Sequence, residues 1–387
     1  MPTRLTDKLW NWASILEPNT RAQAELTSSM PFVQPHLALM PDAHLGKGAT
    51  VGSVIPTVGA IMPAAVGVDT GCGMIAVRTQ FSRGSFADRD LARLRVAIER
   101  AVPLSMGAAN RELTATAAAR VAELENRATR DYDQVSARWR LQLGTLGSGN
   151  HFIEVTADEQ DRIWLFLHSG SRGIGNKLAT EHIAVAQRQT AARGESPPDR
   201  DLASLEEGTG EFDAYIRDLE WAQHFALLNR EEMMDRLVAA VETFLGEAVE
   251  EAERINCHHN FTQREEHFGR QVWLSRKGAI EATAGRPGLI PGSMGTASYV
   301  VVGKGEPLSM NSSPHGAGRN FSRAKARKTF TLEQLRTAMT GIEYRDTAAF
   351  LDEIPQAYKD IDQVMADAAD LVEVRHTLRQ LVNVKGD

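Results

Sequence analysis

Apolar and polar positions alternate on different periods along the chain. From Pro35 to Gln80 short apolar runs are broken by glycines, which predicts strands and tight loops. The uncharged stretch Val51–Val68 is long enough to suggest a membrane span, but Gly52, Gly59, Gly67, Pro56 and Pro63 cut it into pieces that read as buried strands joined by turns. Leu91, Leu94, Val96 and Ile98 recur at helical spacing and predict a helix within Phe86–Val102; Arg111–Leu143, rich in alanine and charge, predicts another. Phe152–Val155, Ile163–Leu167, Val272–Ala282 and Ala297–Val302 predict strands. A helix-rich region runs to about Glu253 around the polar loop Gly194–Asp201, and Leu332–Leu381 predicts a mainly helical section. Residues 1–34 show no clear period.

No repeat or low-complexity linker divides the chain, and its chemically loaded segments are dispersed from Asp42 to Arg319. The pattern therefore predicts one mixed α/β domain over residues 1–387, with glycine-rich loops around a central site and a helical C-terminal section.

Composition narrows the partners. The 387 residues carry a net charge of −7, so no global positive field attracts polyanions, and a nucleic-acid partner must meet a local basic patch. Two cysteines, Cys72 and Cys257, exclude a disulfide framework and suit a reducing cytoplasm. The N-terminal MPTRLTDKLW lacks the apolar core of a signal peptide, so no membrane role is expected.

The histidines carry the chemistry. His151, His168, His258, His259 and His315 sit beside Gly, Ser, Cys, Asn or another His, whereas His36, His182, His224, His267 and His376 sit in apolar or helical contexts that read as structural. His44 stays open between the two. Asp69 and Cys72 share a glycine-flexed turn expected to follow a buried strand and can face one cation; thiolate, imidazole and carboxylate together select a transition metal rather than calcium or magnesium. Taken alone, Cys72 also reads as a small buried hydrophobe.

Three glycine loops resemble phosphate cradles: Gly144–Gly149, His168–Lys177 and Pro291–Ser298. In the second, Gly170 and Gly175 have P-loop spacing, but Asn176 precedes Lys177 and no Ser or Thr follows, which disfavours a Walker mechanism. His315–Arg319 leads into Arg323, Lys325, Arg327 and Lys328, the densest basic run of an acidic chain, readable as a solvated helix face or as a phosphate contact beside an open histidine. No Lys-x-Asp-Gly, His-x-Thr/Ser, Gly-x-Ser-x-Gly or Cys-x-x-Cys occurs, which disfavours lysine-adenylate ligases and two-histidine phosphodiesterases.

Nine segments, in order, resemble the RtcB-type RNA ligases: MPDAHLGKGATVGSVIPT (Met40–Thr57), GVDTGCGM (Gly67–Met74), GTLGSGNHFIEV (Gly144–Val155), LHSGSRGIGN (Leu167–Asn176), INCHHNF (Ile255–Phe261), RKGAI (Arg276–Ile280), PGSMGTAS (Pro291–Ser298), HGAGR (His315–Arg319) and VKG (Val384–Gly386). The least family-like stretch is about Ser105–Arg140. The resemblance implies a GTP- and Mn²⁺-dependent ligase that joins RNA ends bearing a 3′-phosphate or 2′,3′-cyclic phosphate to 5′-hydroxyl ends, in tRNA splicing or RNA repair, with room for an accessory activator protein. It implies His315 as the nucleophile that takes GMP. Asp69, Cys72, His151, His168 and His259 become ligands of two Mn²⁺, Cys72 bridging. Asn150, Glu154, Pro291, Gly292, Ser293, Met294, Ser298, Gly316, Ala317, Gly318, Tyr358 and Lys385 become nucleotide contacts, and Arg172 and Arg319 phosphate contacts. Asp387, one residue past the family's Lys-Gly ending, leaves the place of Lys385 to be fixed.

The chemistry is coherent with those residue types. A neutral imidazole attacks phosphorus near pH 7, and its P–N bond stays reactive. Two cations about 3.5–4 Å apart need a bridging ligand, which a thiolate can supply. The same ligand set binds Zn²⁺ more tightly than Mn²⁺, so zinc can occupy purified protein. The rival expectations are a metal-dependent phosphohydrolase that only opens cyclic phosphates, which needs no His315, and a non-catalytic RNA chaperone using Arg319–Lys328.

Overall fold

Successive residues of the central strands point into different cores, as the two-residue strand period requires. In the computed structural model, which describes residues 1–387, Met74 and Ala76 of the strand Gly73–Ser82 join one apolar cluster while Ile75 and Val77 join another. The same alternation separates Trp164 and Phe166 from Leu165 and Leu167 in the strand Arg162–Ser169. A strand buried on both faces reads as an unbroken apolar run. Each such Leu, Ile or Phe contributes roughly 1.5–3 kcal/mol through burial.

Two sheets result. One has seven strands in the spatial order Glu251–His258, Gly73–Ser82, Arg162–Ser169, Phe152–Ala157, Val372–Lys385, Ser298–Gly303 and Pro287–Ile290, all antiparallel. The other has six, ordered Thr3–Thr6, Leu9–Asn11, Leu37–His44, Val51–Thr57, Arg270–Lys277 and Asn260–His267, with one parallel pair, Leu9–Asn11 beside Leu37–His44. Ala38, Met40, Val54 and Leu274 pack the six-stranded sheet against Met74, Trp164 and Phe166 of the other. The opposite face of the seven-stranded sheet is covered by the helices Leu91–Ala101 and Gly210–Leu245, through Leu94, Ile98, Met233, Leu237 and Val241. The latter helix, 36 residues long, is capped by Thr209 accepting from Phe212 N–H and ends at Gly246 in the left-handed conformation. The fold is thus α/β with mixed layers, as expected.

Four local expectations need correction. The C-terminal section has the helices Leu332–Ala338 and Ile361–Asp367, but Val372–Lys385 is a 14-residue strand inserted within the larger sheet. Within Arg111–Leu143 only Ala115–Asn126 is α-helical; the remainder is turns plus the 3₁₀ segment Arg140–Gln142, tied down by Tyr132 and Trp139 packed on Trp221. Val51–Val68 contains, besides strands, the helical turn Pro63–Val66. The Asp69–Cys72 turn precedes its strand, Gly73–Ser82, rather than following one. No helix is long and apolar enough to cross a membrane.

Register positions the site. Cys257 pairs with Met74, Met74 with His168, His168 with Phe152 and Phe152 with Lys385, a row across five strands close to their ends. Everything that follows lies on or beside this row.

Candidate active site

Five side chains gather at the ends of these strands. Cys72 Sγ lies 3.3 Å from His151 Nε2 and 3.2 Å from His168 Nε2. His168 Nε2 is 2.8 Å from His259 Nε2, and His151 Nε2 is 3.0 Å from Asp69 Oδ2. The tautomer of His168 follows from its surroundings: Nδ1 donates to the carbonyl of Asn150 at 3.1 Å, which leaves a lone pair on Nε2. That lone pair meets a sulfur and a second imidazole nitrogen, and the buried Nδ1 of His259 has no partner at all. Electron-rich atoms brought this close in a dry pocket form a donor set for a transition-metal cation, and Cys72, His151 and His168 can hold one ion together. Without a cation, burial and the Asp69 carboxylate push the Cys72 thiol well above its usual range. Burial pushes the Asp69 carboxyl up as well, yet the His151 hydrogen bond and the His151 and Arg172 charges hold it well below the ordinary value. Gly170 makes the approach feasible, since a Cβ there would overlap Asp69 Oδ1.

His315 follows the strand Ser312–Pro314, which pairs with Ala279–Glu281. Its ring lies 4.6 Å from that of His259. Asp42, fully buried in the strand Leu37–His44, places Oδ2 2.6 Å from His315 Nδ1, and the same oxygen accepts the His315 backbone N–H at 3.1 Å. Gly278, at φ +65° in the RKGAI segment, leaves the space into which the His315 ring fits.

A cavity of about 320 Å³ joins these groups. Asp69, Cys72, His168, His259 and His315 line it, as do Asn150, Glu154, Pro291–Met294, Gly316–Gly318, Tyr358 and Lys385. Alternation puts Phe152 and Glu154 on one face of their strand, opposite Lys385 and Asn383. Asn383 Nδ2 donates to Glu154 Oε1 at 2.8 Å, and burial, opposed by Lys385 and Asn383, pushes the Glu154 carboxyl up to about 8. Glu353 is a hub: it accepts from Tyr358 Oη at 2.6 Å, Arg319 Nη1 at 3.1 Å and Lys385 Nζ at 3.2 Å. Lys385 is therefore firmly placed, despite the extra Asp387.

Two expected contacts sit off the cavity wall, and a third on the wall is engaged by protein groups. Ser298 stands behind the cavity wall and accepts the Gly292 N–H at 3.2 Å, supporting the loop. Arg172 is behind the cation donors, packed against Gly147 with Nη1 3.2 Å from His151 Nδ1. Arg319 lines the cavity, and its guanidinium donates to Phe321 O, Asp352 O, Glu353 and Tyr358 Oη and lies 4.7 Å from the Tyr358 ring centre.

The sequence model of the family described as "tRNA-splicing ligase RtcB" matches residues 23–386. The chain belongs to the RtcB family. It is 48% identical to the RNA-splicing ligase RtcB of Escherichia coli K12, covering 98% of this chain and 97% of that one. It is 29% identical to the tRNA-splicing ligase RtcB of Aeropyrum pernix (96% and 92%) and 29% identical to the RNA-splicing ligase RtcB of Mycobacterium bovis (87% and 93%). Sequence reasoning about this RtcB chain missed Asp42 and Glu353. A signal for Asp42 was present, since it is the one acid in the apolar strand LALMPDAH; Glu353 has none. Lys47 and Lys277 also line the cavity, and burial, opposed by Asp201, pushes Lys277 down to about 7.

Proposed function

We propose that this chain is a GTP-dependent RNA ligase, acting as one unit over residues 1–387 in the cytoplasm, that joins 3′-phosphate or 2′,3′-cyclic-phosphate ends to 5′-hydroxyl ends in tRNA splicing or RNA repair. The observation that carries this is His315, braced by Asp42, in the same cavity as the Cys72–His168–His259 donors. The 48% identity to an RNA-splicing ligase supports the RNA substrate.

Nδ1 of His315 faces the Asp42 carboxylate at 2.6 Å, so Nε2, on the other side of the ring, is the attacking atom. It forms a bond to the α-phosphorus of GTP, and pyrophosphate leaves with the electron pair. An oxygen of the RNA 3′-phosphate then displaces His315 to give an RNA–ppG end, from which the 5′-hydroxyl displaces GMP. Glu154, Asn150, Tyr358, Lys385, the Pro291–Met294 loop and Gly316–Gly318 wall the nucleotide, with Ser298 supporting the loop. Asp69, Cys72, His151, His168 and His259 would hold the paired Mn²⁺, which when bound would neutralise the triphosphate charge. Arg172 positions His151, and Arg319 positions Glu353 and Tyr358.

The test supplies a 2′,3′-cyclic-phosphate RNA and, separately, a 3′-phosphate RNA, each with a 5′-hydroxyl RNA, GTP and Mn²⁺. Joined product that requires GTP is expected. Opening of cyclic phosphates with no joined RNA, under any nucleotide, would replace the ligase reading with the phosphohydrolase.

A further inference from the structure

Asp42 anchors two imidazoles. Its carboxylate faces Nδ1 of His315, while its main-chain carbonyl lies 2.9 Å from Nδ1 of His44. A carbonyl oxygen only accepts, so His44 Nδ1 carries the proton and Nε2 carries a lone pair. No protein group bonds that Nε2, and the half-buried ring lines the same cavity as His315. His44 ends the strand Leu37–His44 and pairs in register with Val51, which fixes the ring's attachment point rather than leaving it on a free loop. Burial, together with repulsion from His315 and Lys359, pushes His44 down to about 4, which keeps the lone pair free at neutral pH.

Neither the nucleophile nor the cation donors use this group. Among the reactants of the proposed ligation, the triphosphate and the RNA 3′-phosphate are anionic and are repelled by a bare lone pair. A hydroxyl is the reactant group that brings a proton to it.

Resting on the ligase reading above, we propose that His44 receives the RNA 5′-hydroxyl end, accepting its O–H on Nε2 and taking the proton as the ends join. In that step the hydroxyl oxygen bonds to the 3′-phosphorus, and the bond from that phosphorus to the bridging oxygen breaks. GMP departs with the electron pair, and the proton passes to His44 Nε2 and then to water. A 5′-phosphate end would set negative charge against the same lone pair, so His44 also selects for the hydroxyl.

The test uses full-length His44→Ala with three readouts: label from GTP on His315, conversion of a 3′-phosphate RNA to RNA–ppG, and sealing of a premade RNA–ppG end to a 5′-hydroxyl RNA. The first two are expected to stay near the parent rate, while sealing falls by roughly 10²- to 10⁴-fold, the range of a lost proton acceptor. Sealing at the parent rate overturns the proposal. A folded variant that loses label on His315 together with sealing also overturns it, since His44 would then serve the nucleotide, for example through a ribose hydroxyl. If His44→Ala does not fold, His44→Gln is scored on the same readouts, with sealing expected to drop about tenfold or more and unchanged sealing overturning the idea. No label on His315 in the parent would remove the ligase reading itself, and this inference with it.

Discussion

Asp42 and His315, 273 positions apart, meet through a carboxylate oxygen 2.6 Å from a ring nitrogen, and the same oxygen accepts the His315 backbone N–H. Asp42 is fully buried and its carboxylate is hydrogen-bonded to no other side chain, which fits it to orient the imidazole it faces. Asp42→Asn is expected to reduce GMP transfer to His315 by about 10²-fold or more, as loss of the orienting carboxylate does in serine-protease triads, while GTP binding stays intact. Single-turnover labelling beside a binding titration checks this; transfer at the parent rate would show that the contact is incidental.

The cation donors make a second expectation. In chelator-treated parent protein, added Mn²⁺ should raise Tm, by the equivalent of about 2.7 kcal/mol at a hundredfold excess over Kd. Cys72→Ala removes the sulfur that faces both His151 and His168, and Gly170→Ala drives a methyl into Asp69. Both variants should fold and show no Mn²⁺-dependent rise, with elemental analysis confirming the lost metal. Full stoichiometry in Cys72→Ala would refute the donor set.

Glu353 links acid stability to the site. Burial alone would raise its carboxyl, but Lys385, Arg323 and Arg319 overcome this and hold it down to about 2, against an ordinary 4.5. A depressed folded value means stability that is present above about 4.5 and is lost as pH falls toward 2. Glu353→Gln should be less stable at pH 7, by about 3–5 kcal/mol for a broken buried ion pair, and should show a flatter decline between pH 5 and 3. Urea melts across that window measure both.

Glu154 has the opposite sign. Its folded value of about 8 lies above the ordinary 4.5, so its contribution is present below 4.5 and is lost as pH rises toward 8. If its carboxylate accepts the N–H groups of guanine, GTP binding must expel a proton and tighten from pH 6 to 8. Calorimetry in two buffers of different ionisation heat reads the released proton. Glu154→Gln should abolish that release and relax the preference for GTP over ATP.

Much of the candidate site was legible because its residues sit in long motifs at strand ends: Asp69, Cys72, His151, His168, His259 and His315 come together in space. Their convergence depends on the register row from Cys257 to Lys385, which no local pattern encodes. The final strand was illegible for a physical reason: Glu373, Val374 and Arg375 are exposed, and a bulge between Gln380 and Val382 shifts the two-residue period. Arg111–Leu143 has the composition of a helix, but stacking of Tyr132 on Trp221, with ring centres 3.8 Å apart, favours turns over part of it. The engagement of Arg319 by Glu353 and Tyr358 is visible only in three dimensions, since no local pattern pairs these positions.

The most direct measurement is to incubate the protein with Mn²⁺ and GTP labelled on the α-phosphate, digest it, and locate the label by mass spectrometry. A GMP adduct on the peptide containing His315, labile to acid, stable to alkali and absent from His315→Ala, is the expected result. An adduct on another residue, or none in protein with its metal sites filled, would contradict the account.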